Sequence, residues 1–226
     1  MQLRLIYTFL LSLVTINFVN AQTDSIQVTE EIITTVKQPK HLFVSVDLST
    51  PILSALSDRS GVQGFVSYQF NSNWNAIFEL GSEKNKYNEA SWNVDVNGTY
   101  FKFGFNRYIT KDATSPLNGF YAGARLAYSS YNQTINQYPI RDIYSNQILD
   151  YGSLDKTKVD SYWFEFVLGG KLQVYKNFFA DFSVHPAIYL GGKKQDNVKA
   201  LVVPGYGRTN GPFNLPFYWG ISYKIF

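Results

Sequence analysis

FYWGISYKIF, residues 217–226, alternates large apolar side chains with small or polar ones. An alternation with a period of two predicts a β-strand whose two faces differ in polarity. The apolar face holds Phe217, Trp219, Ile221, Tyr223 and Ile225. Phe226 falls one position out of phase with that face. We interpret the stretch as a strand of an all-β fold.

The same period of two recurs from residue 41 onward, and no helical period of useful length interrupts it. We therefore predict eight strands, in residues 42–49, 62–70, 74–81, 101–106, 120–128, 162–174, 178–188 and 217–225. Trp92, Val94 and Val96 are apolar but out of phase with the fourth segment. Their parity predicts a bulge near Asn97-Gly98, or a loop that forms a short β-extension.

The connections between these segments alternate in length. Residues 71–73, 110–118 and 175–177 form short connections, while residues 49–60, 83–97, 130–160 and 190–213 form longer polar ones. Short turns on one side and long loops on the other are typical of outer-membrane barrels with an even number of strands. The pattern predicts an antiparallel up-and-down transmembrane β-barrel with short periplasmic turns and long external loops.

Composition favours a membrane barrel over a soluble one. Charged residues make up 16% of the chain, against roughly 25% in an average soluble domain. The polar strand faces carry mostly Gly, Ser, Asn and Gln, which is sparse for a solvated surface. Those faces suit a narrow lumen, with the apolar faces turned to lipid. A soluble sandwich or a lipocalin-like periplasmic barrel is the alternative.

The first 21 residues have the pattern of a secretory signal peptide. A short basic start precedes an apolar run over residues 5–19, and Val19-Asn20-Ala21 offers small residues for cleavage. A retained membrane anchor is the alternative. Residues 22–40 are interpreted as a periplasmic N-terminal extension, and residues 41–226 as the barrel.

Several classes of function are excluded or disfavoured by composition. The chain has no cysteine, which excludes disulfides, thiolate metal sites, a cysteine nucleophile and a lipidated cysteine. A net charge of +3 is too small to predict nucleic-acid binding. His41 and His185 are the only histidines and neither belongs to a ligand cluster, so neither a metal nor another cofactor is predicted.

The signal peptide, the eight alternating segments and the aromatic C-terminal strand are similar to those of small outer-membrane β-barrel proteins of Bacteroidota, a family of unassigned function. The resemblance covers residues 41–226. It implies an eight-stranded barrel in the outer membrane, inserted by the barrel-assembly machinery and surrounded by outer-membrane lipids and lipopolysaccharide. It carries no functional residue over to this chain.

Asp181, Ser183 and His185 share the polar face of the seventh segment and are the candidate catalytic residues. Residues two apart on a strand lie about 6.5–7 Å apart. That separation is too long for the direct hydrogen bonds of a catalytic triad, so long or cross-strand partners would be needed. Polar filling of the lumen is the favoured interpretation, and catalysis the alternative.

Charges on the polar faces predict a salt-bridge network that plugs the lumen, because buried charges must be paired. An ion- or proton-conducting gate is the alternative. The predicted members are Asp47, Glu79, Lys102, Arg125, Glu165 and Lys171.

Exposed Tyr and Arg side chains in the long loops favour recognition of an external ligand. The candidates are Tyr138, Arg141, Tyr144, Tyr206 and Arg208. The sequence as a whole predicts a non-enzymatic outer-membrane barrel with a structural, adhesive or loop-mediated binding role. A small enzyme that modifies lipid or lipopolysaccharide, or a narrow porin-like pore, is the alternative.

Overall fold

A computed structural model describes residues 40–55, 59–112, 115–196, 198–211 and 213–226. The predicted signal peptide and all of the predicted N-terminal extension except Lys40 lie outside these residues. No helix in the described ranges is both long and apolar enough to cross a membrane.

The described residues form eleven strands and one short helix. They are β1 (His41–Asp47), α1 (Ser49–Ser54), β2 (Ser60–Gln69), β3 (Trp74–Glu89), β4 (Trp92–Tyr108), β5 (Gly119–Arg141), β6 (Ile148–Tyr175), β7 (Phe178–Val184), β8 (Ala187–Gly192), β9 (Val202–Val203), β10 (Gly207–Arg208) and β11 (Phe217–Lys224). The all-β prediction is confirmed, whereas the strand count differs from the eight predicted.

The main sheet is antiparallel and its strands form a ring. Neighbours follow the order β5-β4-β3-β2-β1-β11-β7-β6, and a further pairing between β5 and β6 joins the two ends. β7 and β8 both pair with β6 and are separated by a break at His185-Pro186. β8 pairs with β6 in the same register as β7 does. β9 and β10 pair only with each other. These three strands account for the difference from the predicted number.

Two of the four predicted long loops are strands, so that part of the prediction was wrong. β3 and β4 run on to a tight turn at Ala90 and Ser91, which both have positive φ. β5 and β6 extend to Arg141 and Ile148, with a register of pairing that shifts several times. Of the two alternatives predicted for residues 92–98, the short β-extension is confirmed, because β4 begins at Trp92. The register shift on β4 lies between Asn93 and Val94 and not at Asn97-Gly98.

The outward face of β3 to β6 changes polarity at one level of the sheet. Leu80, Phe101, Tyr128 and Tyr162 pair in register across the four strands and form an apolar rung on the outside. One step further along the outward face, the register joins Ser82, Thr99, Ser130 and Asp160. We call this step the polarity boundary. It separates the outward apolar band from polar strand extensions.

The apolar band is exposed on every strand of the ring. Phe103 is 48% exposed and Leu126 is 62% exposed, although both belong to regular strands. Val46, Val66, Leu168, Phe182 and Ile221 are exposed in the same way. Behind this band, the inward face mixes buried polar and charged side chains with apolar ones such as Phe65, Tyr108 and Tyr121. Above the polarity boundary the outward face is polar, and the inward face is rich in apolar side chains beside the buried Glu83 and Gln133.

The largest buried cluster begins below the boundary, near the level of Trp163, and continues past it. It includes Trp163 and Tyr100 from below the boundary, Val94, Val96, Tyr131 and Ile135 from above it, and Val203 and Tyr206. Residues 198–208, which carry β9 and β10, supply Val203 and Tyr206 to it, and we call this segment the plug hairpin. Its insertion explains the parity of Val94 and Val96, which face inward without any bulge at Asn97-Gly98.

Phe226 lies beyond the last residue of β11 and is exposed. Its carbonyl oxygen accepts a backbone hydrogen bond from Leu42 and lies 3.1 Å from Nδ1 of His41. The final residue therefore closes the pairing with β1 through its backbone, independently of where its ring points.

Candidate functional site

Four of the predicted lumen charges form one ionic layer inside the ring, Glu79, Lys102, Arg125 and Glu165. Glu79 pairs in register with Lys102, and Arg125 with Glu165. The shortest contacts cross between these pairs, with Arg125 Nε 3.0 Å from Glu79 Oε1 and Lys102 Nζ 2.8 Å from Glu165 Oε1. The layer is electrically neutral and almost completely buried. Buried charges are tolerated only when paired in this way.

Further hydrogen bonds support both carboxylates of the ionic layer, one on the same Glu165 oxygen that Lys102 contacts and one on the second oxygen of Glu79. Trp163 Nε1 donates to Glu165 at 2.7 Å, and Gln63 Nε2 donates to Glu79 at 3.1 Å. Tyr100 donates its hydroxyl to Gln63 at 2.8 Å. The layer is thus tied to the apolar cluster above it, and Trp163 and Tyr100 are site residues that the sequence interpretation did not include.

The other predicted lumen charges lie apart from this layer. Lys171 Nζ is 3.5 Å from Asp181 Oδ2, and the Tyr121 hydroxyl donates to the same carboxylate at 2.5 Å. Asp47 makes no contact with the layer. It accepts hydrogen bonds from the backbone N–H groups of Ser49 and Thr50, at 2.8 and 3.0 Å, where α1 begins. Asp47, which precedes the N-cap residue Leu48, therefore satisfies two of the N–H groups that the first turn of the helix leaves unpaired.

Ser183 and His185 are brought together by a direct hydrogen bond, since the imidazole is one of the long partners that the spacing of the strand requires. Ser183 Oγ lies 2.8 Å from His185 Nε2, and His185 Nδ1 lies 3.0 Å from Glu165 Oε2. The imidazole is long enough to span the gap between alternate residues. A carboxylate only accepts, so in a neutral imidazole Nδ1 carries the proton and Nε2 accepts from Ser183. Asp181 takes no part in this hydrogen-bonded chain.

This Ser–His–Glu chain has the connectivity of a catalytic triad, but the inward cavity that adjoins it is very small. This cavity has a volume of about 10 Å³, which holds one water molecule at most. Tyr121, Tyr218 and Arg125 contribute to its walls. Ser183 also lines a groove of about 810 Å³ together with the outward side chains of Leu168, Phe182 and Phe217. Another cavity of about 290 Å³ lies beside the start of α1 and reaches His185 and Lys102 but not Ser183.

The plug hairpin is fastened to the wall through Glu83. Gly205 donates its backbone N–H to Glu83 Oε2 at 3.0 Å, and Arg59 Nε is 2.9 Å from Glu83 Oε1. Gly205 has φ +81 and lies against the ring of Tyr100, where a Cβ would approach Cγ to 2.5 Å. Only glycine fits this position, because the backbone conformation and the close approach both exclude a side chain.

The predicted external binding residues have different environments. Tyr144 is 98% exposed at the end of the β5–β6 hairpin, and Arg141 donates to the carbonyl of Asn146 nearby. Tyr138 packs on Trp92 with ring centroids 5.8 Å apart. Arg208 forms an exposed ion pair with Glu89.

Tyr206 was predicted as an exposed loop residue, and that prediction was wrong. It is only 2% exposed because the plug hairpin buries its ring against Trp163. Tyr206 therefore stabilises the plug and is not available to an external ligand.

The tip of the β5–β6 hairpin is ordered by Asp142. Its Oδ1 accepts backbone N–H bonds from Tyr144 at 2.7 Å and from Ser145 at 3.3 Å. These two bonds lower the pKa of the Asp142 carboxyl below its ordinary value. The turn thus holds Ile143 and Tyr144 outward in one conformation. Among the described residues, no group of three His, Cys, Asp or Glu side chains could hold a metal ion.

Comparison with known proteins gives a family match and a distant structural likeness. The family model described as "Domain of unknown function (DUF6048)" matches residues 2–226. No curated protein matches the chain. The chain is similar to the crystal structure of a major outer membrane protein from Thermus thermophilus, with 10% identity and a TM-score of 0.45. That match covers 82% of this chain and 99% of the other.

Proposed function

We propose that this chain, which belongs to the family described as a domain of unknown function (DUF6048), is an integral outer-membrane β-barrel with a closed lumen and a non-enzymatic role. In this proposal the ring of eight strands is the closed wall of the barrel, and the extensions of β3 to β6 project from the outer surface. Export would use the predicted signal peptide, and insertion would use the barrel-assembly machinery.

The observation that carries this proposal is the polarity boundary. Below it the outward face is apolar and the ionic layer lies inside, while above it the outward face is polar and the apolar cluster around the plug hairpin lies inside. Water favours the second arrangement, because apolar side chains gain free energy by leaving it. Hydrocarbon favours the first, since exposed charges are costly there. One continuous sheet with both arrangements is expected where a barrel leaves a membrane.

The dimensions of the apolar band are compatible with a bilayer. On β5 the outward apolar set runs from Phe120 to Tyr128, which is nine residues. A tilted transmembrane strand needs about 9–11 residues. The β5–β6 pairing, which joins the two ends of the main sheet, supports a closed wall, since hydrocarbon tolerates no unpaired sheet edge.

Fractionation combined with gel migration tests this proposal. The unheated protein should remain in the outer-membrane fraction, need detergent for extraction, and migrate differently before and after boiling. Extraction by salt alone, with the same migration in both states, would contradict it and would favour a soluble barrel.

A closed lumen is proposed over a narrow pore because two obstructions lie in series. The ionic layer fills the section below the polarity boundary, and the plug hairpin fills the section above it. We expect no unitary conductance in planar bilayers. Steps of conductance from the purified wild-type protein would instead support the pore.

An acyl-transfer enzyme is the second candidate, favoured by the Ser183–His185–Glu165 geometry. A substrate carbonyl would have to reach Ser183 Oγ, and the adjacent inward cavity holds a single water at most. We therefore propose that these three side chains fill the lumen and orient Glu165. A fluorophosphonate should not label the wild-type protein. Labelling that disappears in Ser183→Ala, with unchanged gel migration, would establish the enzyme instead.

A further inference from the structure

A row of lysines lies immediately above the polarity boundary on the outward face. Lys84 of β3 pairs in register with Asn97 of β4, and Asn97 pairs with Asn132 of β5. Asn132 in turn pairs with Lys158 of β6. One step higher, Lys86 pairs with Asp95. Lys156 lies on β6 near the same level. All four lysines are exposed.

Part of this row forms a groove with a volume of about 410 Å³. Lys84, Lys86 and Lys156 line it, together with amide and hydroxyl side chains from Asn97, Asn132 and Thr134. Asp95 also lines the groove, but its Oδ2 accepts a hydrogen bond from Asn136 at 2.7 Å. The lining therefore carries three positive charges against one negative charge, and none of the three lysines has a carboxylate within ion-pair distance among the described residues.

The height of the groove matches the headgroup layer. Lys84 lies four residues above Leu80, about 13 Å along the strand. A strand tilted by about 45° reduces this to roughly 9 Å along the bilayer normal. The flexible lysine stem allows its ammonium to reach down towards the headgroups. β1 and β11 do not extend to this height, so the groove lies on one side of the barrel only.

We propose that this groove binds the phosphorylated headgroup of an outer-leaflet glycolipid, the lipid A part of lipopolysaccharide. The three lysines would contact phosphate oxygens, and the amide and hydroxyl groups would bind the sugar. The acyl chains would then lie on the apolar rung of Leu80, Phe101 and Tyr128 directly below. This inference rests on the proposed membrane location.

The test uses the full-length protein in a nonionic detergent and native mass spectrometry to count the lipid that it retains. The probes are lipid A with its phosphates and the same lipid A after their removal. The patch variant is Lys84→Gln/Lys86→Gln/Lys156→Gln. The matched control, Lys176→Gln/Lys194→Gln/Lys199→Gln, removes the same charge from exposed lysines elsewhere.

Wild-type protein should bind phosphorylated lipid A more tightly than the dephosphorylated form. Each lysine near an anionic surface contributes roughly a fivefold factor, so the patch variant should bind about 100-fold more weakly. The control should keep the wild-type affinity. Equal loss in both variants, no loss in either, or equal binding of both probes to wild type would each overturn the inference.

The proposed function and this inference fail in different ways. Wild-type protein that is extracted without detergent would overturn the membrane location. Protein that inserts and shows heat-modifiable migration, but whose patch variant keeps its affinity for lipid A, would overturn only the glycolipid site. The same migration assay on each variant shows whether it has folded.

Discussion

Lys102→Met is expected to destabilise the barrel strongly, because it removes one positive charge from the neutral ionic layer. Lys102 Nζ lies 2.8 Å from Glu165 and 3.9 Å from Glu79. With an effective dielectric constant near 20, each contact corresponds to about 4–6 kcal/mol of Coulomb attraction. Desolvation of the ammonium offsets much of this. Removal of one partner from a buried pair costs about 3–5 kcal/mol, and we expect a loss in that range.

The double variant Lys102→Met/Glu165→Gln identifies the cause. It restores neutrality, and the amide oxygen of the new side chain could still accept the Trp163 hydrogen bond that Glu165 now accepts at 2.7 Å. We expect the double variant to be more stable than Lys102→Met alone. We also expect a coupling energy of about 1–3 kcal/mol between the two substitutions, measured from the full cycle that includes Glu165→Gln. Lys84→Met removes an exposed lysine and should change stability by less than about 0.5 kcal/mol.

The assay is urea unfolding of the barrel in lipid vesicles, followed by tryptophan fluorescence, since Trp163 contacts the ionic layer directly. A Lys102→Met variant within about 1 kcal/mol of wild type would refute the view that the layer is held by paired charges. So would additive effects in the double variant, because additivity is the behaviour of independent sites.

Two further predictions concern the plug hairpin and the hairpin tip. Gly205→Ala should destabilise the plug hairpin by about 1–3 kcal/mol, because the new Cβ meets Tyr100 in a backbone conformation that favours glycine. Faster proteolysis within residues 198–211 would show this destabilisation, and an unchanged cleavage rate would contradict the prediction. The pKa of Asp142 is lowered in the folded turn, so its hydrogen bonds to Tyr144 and Ser145 are fully present above the ordinary pKa of about 3.9. These hydrogen bonds are lost as pH falls through the folded pKa. The amide chemical shifts of Tyr144 and Ser145 should follow this titration in wild type and be independent of pH in Asp142→Asn.

The faces of the strands were predictable because they depend on local alternation. The period of two placed Val44, Phe103 and Leu126 outward and Glu79 and Lys102 inward, as the structure has them. The register that sets Glu79 opposite Lys102 depends on pairing between strands, and alternation within one strand does not determine it.

The strand extensions were predicted as long loops, with a short β-extension only as an alternative for residues 92–98, because their outward side chains, among them Lys84, Lys86 and Asn97, are as polar as those of a loop. The informative signal was that Val94 and Val96 are apolar at positions that face inward, one residue out of phase with the outward apolar set of Phe101. This pattern indicates a second apolar face, on the inner side of the strand. Its partner, the plug hairpin, comes from about a hundred residues further along the chain, and no local pattern predicts that contact.

The position of the polarity boundary is tested most directly by cysteine labelling on intact cells. The chain has no cysteine, so single variants report one position each. Leu80→Cys and Ser82→Cys are two residues apart on the outward face of β3. A membrane-impermeant maleimide should label Ser82→Cys and leave Leu80→Cys unlabelled until the protein is denatured. Equal labelling of both variants on intact cells would contradict a membrane boundary between them.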